Sequence, residues 1–338
     1  SKGLMYPEGF KKGTWLYYTA MGTVEKEIDY DKPFGFSWEN VLAYLNERAI
    51  QKESIVHILR DAESNPKTWT IEWNIDTENA EVVTLNGDSG KVIEKIKQPI
   101  SAEQLVKSTD FELAGIVHIE AGFDNQSPIN ELNWLSSHLK NLSFKAISYN
   151  QIDAPAEQFN HALNALAHSS LCGIRDITED DDSVRLKSPH CINNLNLLAT
   201  NKLHFEAQFD IENSEITKQI ACYAKQLPQL QIIINHAGLP SNLNDWQQGA
   251  ELLAQHDNIA IKFSGFELLR LTSEQQAACF NFLFNHFGQQ RIMFASNFPV
   301  CQINTSYNSL WHCHKALCSN DKTWHDLSYA NAKHYYQV

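Results

Sequence analysis

From about residue 99 the chain repeats one pattern: a short apolar run, a polar break, then a longer stretch with apolar positions at helical spacing. The runs that read as strands are Gly115–Glu120, Lys145–Tyr149, Gly173–Ile177, His204–Phe209, Gln231–Asn235, Ile259–Phe263 and Arg291–Ala295. Between them Ile129–Lys140, Glu157–Ala167, Ile192–Ala199, Ser214–Gln226, Gln247–Gln255 and Ser273–Phe287 read as helices. Short strands alternating with helices imply a parallel sheet, because each strand is brought back by a crossover. Seven strands are one short of a (β/α)8 barrel of TIM type. The eighth is expected within residues 69–85 or is degenerate.

Residues 1–98 follow another pattern. Ser37 can cap a helix carrying Trp38, Val41, Leu42, Leu45 and Ala49 at helical spacing. After Asn65-Pro66 the pattern becomes alternation. Thr68–Ile75 puts Trp69, Ile71 and Trp73 on one face, Glu81–Leu85 makes a second strand, and Lys91–Ile96 a third. Asn86-Gly87-Asp88-Ser89-Gly90 supplies the turn between the last two. The expectation is an α+β unit over 1–98, a helix plus an antiparallel meander, ahead of an α/β barrel over 99–338.

Length agrees: 338 residues suit one barrel plus an element of roughly 100 residues. The net charge of −13 changes the picture more. A chain this acidic repels nucleic acid and anionic lipid over most of its surface, and no stretch approaches the ~18 apolar residues of a membrane span. The partner expected is a small molecule, with no nucleic acid and no membrane; a homo-oligomer stays open. Seven cysteines without a CxxC pair read as reduced thiols of a cytoplasmic protein. The chain opens Ser1-Lys2-Gly3-Leu4-Met5, with no basic-then-apolar signal segment. Because residue 1 is not Met, a leader removed upstream stays open.

In a parallel barrel the chemistry sits at the C-terminal ends of the strands. Those ends supply His118 and Glu120, Arg175 and Asp176, Glu206 and Gln208, His236, Lys262 and Ser264, and Asn297. Each has a plainer reading. His118 and Glu120 lie two apart, on one side of a strand, and suit a structural pair. Arg175 can simply pair with Asp176, and Lys262 can point inward or snorkel outward. His312-Cys313-His314, with Cys318, looks metal-like, but residues two apart on a helix do not share a face, which favours a structural role. Glu179-Asp180-Asp181-Asp182 reads as a solvated acidic loop.

Taken in order, Gly115-Ile-Val-His-Ile-Glu-Ala-Gly122, Glu131…Trp134, Gly173-Ile-Arg175, Leu203-His-Phe-Glu-Ala-Gln208, Ile234-Asn-His-Ala-Gly-Leu-Pro240, Ile261-Lys-Phe-Ser-Gly265 and Met293-Phe-Ala-Ser-Asn-Phe-Pro-Val300 form a recognisable set. It resembles the amidohydrolase-related family of metal-dependent-hydrolase fold that includes sugar-lactone and pyrone-dicarboxylate lactonases. The resemblance covers residues ~99–338. It implies a deformed (β/α)8 barrel that hydrolyses lactones or related carboxylic esters. It also implies roles. His236 matches the family's histidine after strand six, Arg175 its substrate-clamping arginine, and Lys262 and Ser264 its Lys-x-Ser-Gly. A guanidinium suits bidentate binding of a carboxylate.

Two departures stand beside the matches. The family's first strand ends His-x-His, and nothing before Gly115 supplies that pair; the nearest look-alike, Ile75–Ala80, puts Glu78 and Ala80 in its place. The family's last strand carries an Asp, a general base and, in metal-bearing members, a ligand, where this chain has Asn297. An amide has neither useful basicity nor much affinity for a metal. The expectation is therefore no bound metal and no cofactor. Two functions compete. In the first, Arg175, Lys262, Ser264, His118 and Gln208 bind a small carboxylate while His236, Glu120, Glu206 and the position of Asn297 serve catalysis. In the second, a catalytically silent barrel binds a ligand or a protein partner. Asn297→Asp is expected to fit isosterically, with its new carboxylate near His236 and Arg175.

Overall fold

The computed structural model describes residues 2–5, 11–19, 22–51, 55–62, 64–74, 80–97, 105–106, 109–122, 124–139, 142–269 and 271–338. The chain divides into two compact units, Ser1–Ser101 and Ala102–Val338.

The first unit holds two antiparallel sheets. Strands β1 (Lys2–Met5), β2 (Lys11–Tyr18) and β3 (Val24–Asp29) form one, in that order. Helix α1 (Trp38–Glu47) begins at Ser37, whose side chain accepts from Asn40 N while Asn40 caps in return. Strands β4 (Ile55–Asp61), β5 (Thr68–Asn74), β6 (Ala80–Asn86) and β7 (Val92–Lys97) form the second sheet. The expected face of β5 is the buried one: Trp69, Ile71 and Trp73 pack with Trp38, Val41 and Leu45 of α1. The turn after β6 closes through Asn86 Oδ1, which accepts from Asp88 N and Ser89 N. Residues 69–74 and 80–85 are thus antiparallel strands of this sheet, and an eighth barrel strand does not come from 69–85. Glu78 lies outside the described residues, and Ala80 opens β6.

The second unit alternates β8 (Ile116–Ile119), α2 (Ile129–His138), β9 (Phe144–Tyr149), α3 (Ala156–Ala165), β10 (Leu171–Ile177), α4 (Cys191–Thr200), β11 (His204–Gln208), α5 (Ser214–Gln226), β12 (Ile232–Ile234), α6 (Leu243–Ala254), β13 (Ile259–Phe263), α7 (Ser273–Phe287) and β14 (Ile292–Phe294). All seven strands are parallel, each paired with its neighbour in sequence from β8 to β14. Helices α8 (Tyr307–Ala316), α9 (Asp321–His325) and α10 (Asn331–Tyr336) follow.

Strands buried on both faces read as continuous apolar runs, and Ile232-Ile233-Ile234 shows why. Ile232 and Ile234 pack outward in the large core with the helices, beside Ile174, Phe205, Ile261 and Phe294. Ile233 points inward, to a second core with Ile147, Ala260, Met293 and Tyr336. Val117 of β8 packs on that inner core and Met293 of β14 belongs to it, so the sheet is curled, with its first and last strands facing one interior. The C-terminal helix enters that interior. Tyr336 is buried within it, and Val338 packs on Gly115, where an added Cβ would stand 2.8 Å from Val338 Cγ2.

Candidate functional site

The C-terminal strand ends gather the expected polar residues into three groups. The first centres on Arg175, on the inner face of β10. Its Nε donates to Glu120 Oε1 at 2.9 Å, its Nη1 to Gln208 Oε1 at 2.6 Å, and its Nη2 to the Glu120 carbonyl. Gln208 Nε2 in turn donates to Glu179 Oε1 at 2.7 Å, which ties the acidic loop to the sheet. Burial drives the Glu120 carboxyl above its ordinary value, more than the attraction of Arg175 lowers it. Asp176 is occupied by Arg185, at 2.6 Å, and not by Arg175. A cleft of about 280 Å³ opens over this group, with Glu120, Asn125, Tyr149, Arg175 and Asp176 on its wall. A second groove of about 390 Å³ crosses α3 and α4, and half of its lining residues are asparagines.

The second group is His236 with Ser264. His236 begins a run of four residues with positive φ, at 48°, 51°, 76° and 55° through Leu239. Three of the four are not glycine, and such backbones concentrate at functional sites. The ring's Nδ1 lies 3.1 Å from Ser264 Oγ. Gly265 makes room: a Cβ there would stand 3.0 Å from the Cβ of His236, and its own φ is 86°. Burial first, then the charges of Lys262 and Arg175, push the imidazole down to about 4, so it is neutral at pH 7.

The third group lies deeper. Lys262 Nζ donates to Glu206 Oε2 at 2.7 Å, and the Tyr336 hydroxyl donates to Glu206 Oε1 at 2.6 Å. Glu206 is 0% exposed. Burial lowers the Lys262 ammonium despite its partner. Both oxygens of Glu206 are filled, so it anchors the C-terminal helix and Lys262 and is not free to move protons at the mouth.

Two expected residues sit elsewhere. His118 Nε2 meets Glu131 Oε1 of α2 at 2.5 Å, and the same oxygen accepts from Ala121 N. The inward residues of β8 are Val117 and Ile119, so alternation turns His118 to the helix layer and away from the mouth. Glu120, past the end of β8, turns instead to Arg175, so it does not share the side of His118 that the spacing predicts. Asn297 donates through Nδ2 to Glu267 Oε1 at 2.9 Å. Glu267 follows the Lys-x-Ser-Gly motif by two residues, was absent from the sequence reading, and is raised by burial. Its other oxygen is buried without a hydrogen-bond partner. Asn235 stands inside the Ile234–Pro240 motif, but nothing in the sequence assigned it a role of its own. His314 stacks on Phe294 at 4.7 Å inside the core, whereas His312 meets Asp110 at the surface, so that pair is structural. All seven cysteines are free.

The family that the sequence resembles includes metal-bearing members, so the donors at the strand ends matter. Among the described residues no three His, Cys, Asp or Glu side chains converge to hold an ion. His236 also has two cations as electrostatic neighbours, Lys262 and Arg175, which oppose a third. The described residues do not fit a metal.

A curled parallel β/α sheet with titratable groups at its C-terminal strand ends defines the α/β-barrel class of fold. Within that class, residues 154–332 match the family model described as amidohydrolase, and the chain belongs to that family. It is 27% identical over 232 residues to an uncharacterized protein, y4mH, of Sinorhizobium fredii (strain NBRC 101917 / NGR234), covering 63% of this chain and 76% of that one. Two solved structures share the fold. One is an amidohydrolase from Burkholderia multivorans with bound zinc, at TM-score 0.59 and 17% identity, covering 71% of this chain and 93% of that one. The other, from Pseudomonas putida, is assigned as a 2-pyrone-4,6-dicarboxylic acid hydrolase, at TM-score 0.54 and 18% identity, covering 70% and 87%. Among the described residues no helix is long and apolar enough to cross a membrane.

Proposed function

We propose that the barrel mouth hydrolyses an ester bond, of the lactone or carboxylic-ester class, in a small molecule that carries a carboxylate. The observation that carries this reading is His236: a neutral imidazole, oriented by Ser264, beside two cations. Burial first, and then the charges of Lys262 and Arg175, make it a weak base. A ligand carboxylate seated near them offsets their push and raises the imidazole toward neutral pH, where a general base works best. His236 Nε2 then accepts a proton from water as the water oxygen bonds to the carbonyl carbon. The tetrahedral adduct collapses, the carbon–oxygen ester bond breaks, and the leaving alkoxide takes the proton back from His236. Membership of the amidohydrolase family supports the reaction class, and the dicarboxylic acid hydrolase assignment of a protein with the same fold supports the ligand class.

The test is turnover of a panel of lactones with and without a second carboxylate. The expected result is a preference for the carboxylate-bearing members and a loss of about 10²–10⁴-fold in kcat/KM for His236→Asn. Calorimetry of an unreactive dicarboxylate at pH 6, in buffers of different ionisation heat, is expected to show proton uptake that disappears in the same variant. Turnover that His236→Asn leaves unchanged would overturn the assignment of the base.

One observation favours the second reading, a silent barrel that binds ligands. Arg175 already holds a carboxylate, that of Glu120. On either reading a ligand competes with Glu120 for the guanidinium. Glu120→Gln is therefore expected to tighten binding of small carboxylates about tenfold, since charge-assisted pairs are the strong ones. Unchanged affinity would place the ligand away from Arg175. The silent barrel would show this gain with no turnover in either protein.

A further inference from the structure

Asn235 follows β12 in extended conformation, and its N–H continues the parallel ladder by donating to the Ala207 carbonyl at 3.0 Å. Ala207, Ile234 and Ile261 are register partners, so the next step places Asn235 between Gln208 and Lys262. Ile233 faces the inner core and Ile232 and Ile234 the outer one, so Asn235 continues the inner face. Its neighbours in that row are committed. Gln208 bridges Arg175 and Glu179, and Lys262 holds Glu206. Asn235 is not: its side chain is buried, 1% exposed, and neither Nδ2 nor Oδ1 has a hydrogen-bond partner. A buried amide with both ends unsatisfied is rare and destabilising. A group of this kind calls for a partner, and a ligand at the strand ends supplies one.

The shape of that ligand follows from the amide and its surroundings. A carboxamide offers a donor and an acceptor side by side. Lys262 stands in the row and Arg175 reaches it through Gln208, and a ligand anion that takes the place of Glu120 on Arg175 gains their attraction. We propose that Asn235 is a specificity residue for hydroxy-carboxylates, with Nδ2 donating to the carboxylate and Oδ1 accepting from the ligand's hydroxyl. The choice of ligand class rests on the hydrolase reading above, because opening a lactone leaves a carboxylate and a hydroxyl in one molecule. The site itself does not need turnover to be tested.

Malate and succinate have the same chain length and charge and differ by one hydroxyl, so they are the probes. Calorimetry on the full chain is expected to show malate binding about tenfold more tightly than succinate, the scale of one buried hydrogen bond. Asn235→Leu removes both polar atoms. It is expected to erase the preference and to raise the melting temperature of the unliganded protein, because an orphaned buried amide is gone. Asn235→Asp keeps the shape, loses the donor and repels the anion, so both acids are expected to bind more weakly; this arm stands if the leucine variant does not fold. Equal affinities in the wild type, no saturable binding of either acid, or a preference that survives in Asn235→Leu would each overturn the proposal. A malate preference without any lactone turnover would leave Asn235 as assigned and remove the hydrolase reading. Turnover without the preference would do the reverse.

Discussion

Lys262→Met is expected to lower the melting temperature by about 10 °C, the equivalent of about 3–5 kcal/mol in a unit of this size. Methionine fills much the same volume, so the loss is electrostatic. Glu206 is wholly buried and its carboxylate has two partners, the Lys262 ammonium and the Tyr336 hydroxyl. Without the lysine an ionised carboxylate is left in an apolar interior with one neutral donor. Breaking one side of a buried pair is far more destabilising than replacing both. The double variant Lys262→Met with Glu206→Gln is therefore expected to recover most of the lost stability, with the glutamine still accepting from Tyr336. Scanning calorimetry of the wild type, the two single variants and the double variant measures the coupling. Additive losses would mean that Lys262 and Glu206 do not depend on each other. The same cycle reports on the C-terminal helix, because Tyr336 reaches the barrel interior through Glu206.

The strands and helices of the barrel were legible because each carries a signal of its own. Ile259–Phe263, Ser214–Gln226 and Ser273–Phe287 have the bounds read from the sequence, since an apolar run between turns and a helical stripe are local features. Strands β2 and β3 were not legible. Val24-Glu-Lys-Glu-Ile-Asp29 is almost wholly exposed and has no apolar alternation to show. The site divides the same way. Residue identity at strand ends picked out Arg175, His236, Ser264 and Lys262. It could not say which partner each would take. That Arg175 would hold Glu120, that β8 would turn His118 to α2, or that Tyr336 would come from the far end of the chain to Glu206 depends on how the sheet curls. Glu267 and Asn235 left a trace, since Asn235 lies inside a motif already singled out and Glu267 two residues beyond another. Neither carried a pattern that marked it as unpartnered.

Asn297→Asp shows what that difference costs. From the sequence, the new carboxylate is isosteric and is expected beside His236 and Arg175. In the structure its contact is Glu267, whose Oε1 now accepts from the Asn297 amide. Aspartate in that place has no donor to offer, and two carboxyls meet at hydrogen-bond distance. They cannot both ionise, so the pair shares a proton, and Glu267 is already raised by burial. The sign follows from linkage. The folded variant holds a proton that the unfolded chain releases near the ordinary carboxyl range of about 4, so stability is retained below that range and falls as pH rises toward the raised folded value. Asn297→Asp is expected to melt close to the wild type near pH 4 and to be about 2 kcal/mol less stable by pH 8. It is also expected to gain no hydrolytic activity, because a carboxyl that shares its proton with Glu267 is not a free base. Exchanging the two groups tests this directly. In Asn297→Asp with Glu267→Gln the hydrogen bond re-forms in the opposite sense, from Gln Nε2 to the aspartate, and the negative charge moves to position 297. That variant is expected to lose the steep pH dependence, and it is the one in which a general base would be restored. Thermal unfolding from pH 4 to pH 8 separates the cases: a constant difference between Asn297→Asp and the wild type across that range would show that the two carboxyls do not share a proton.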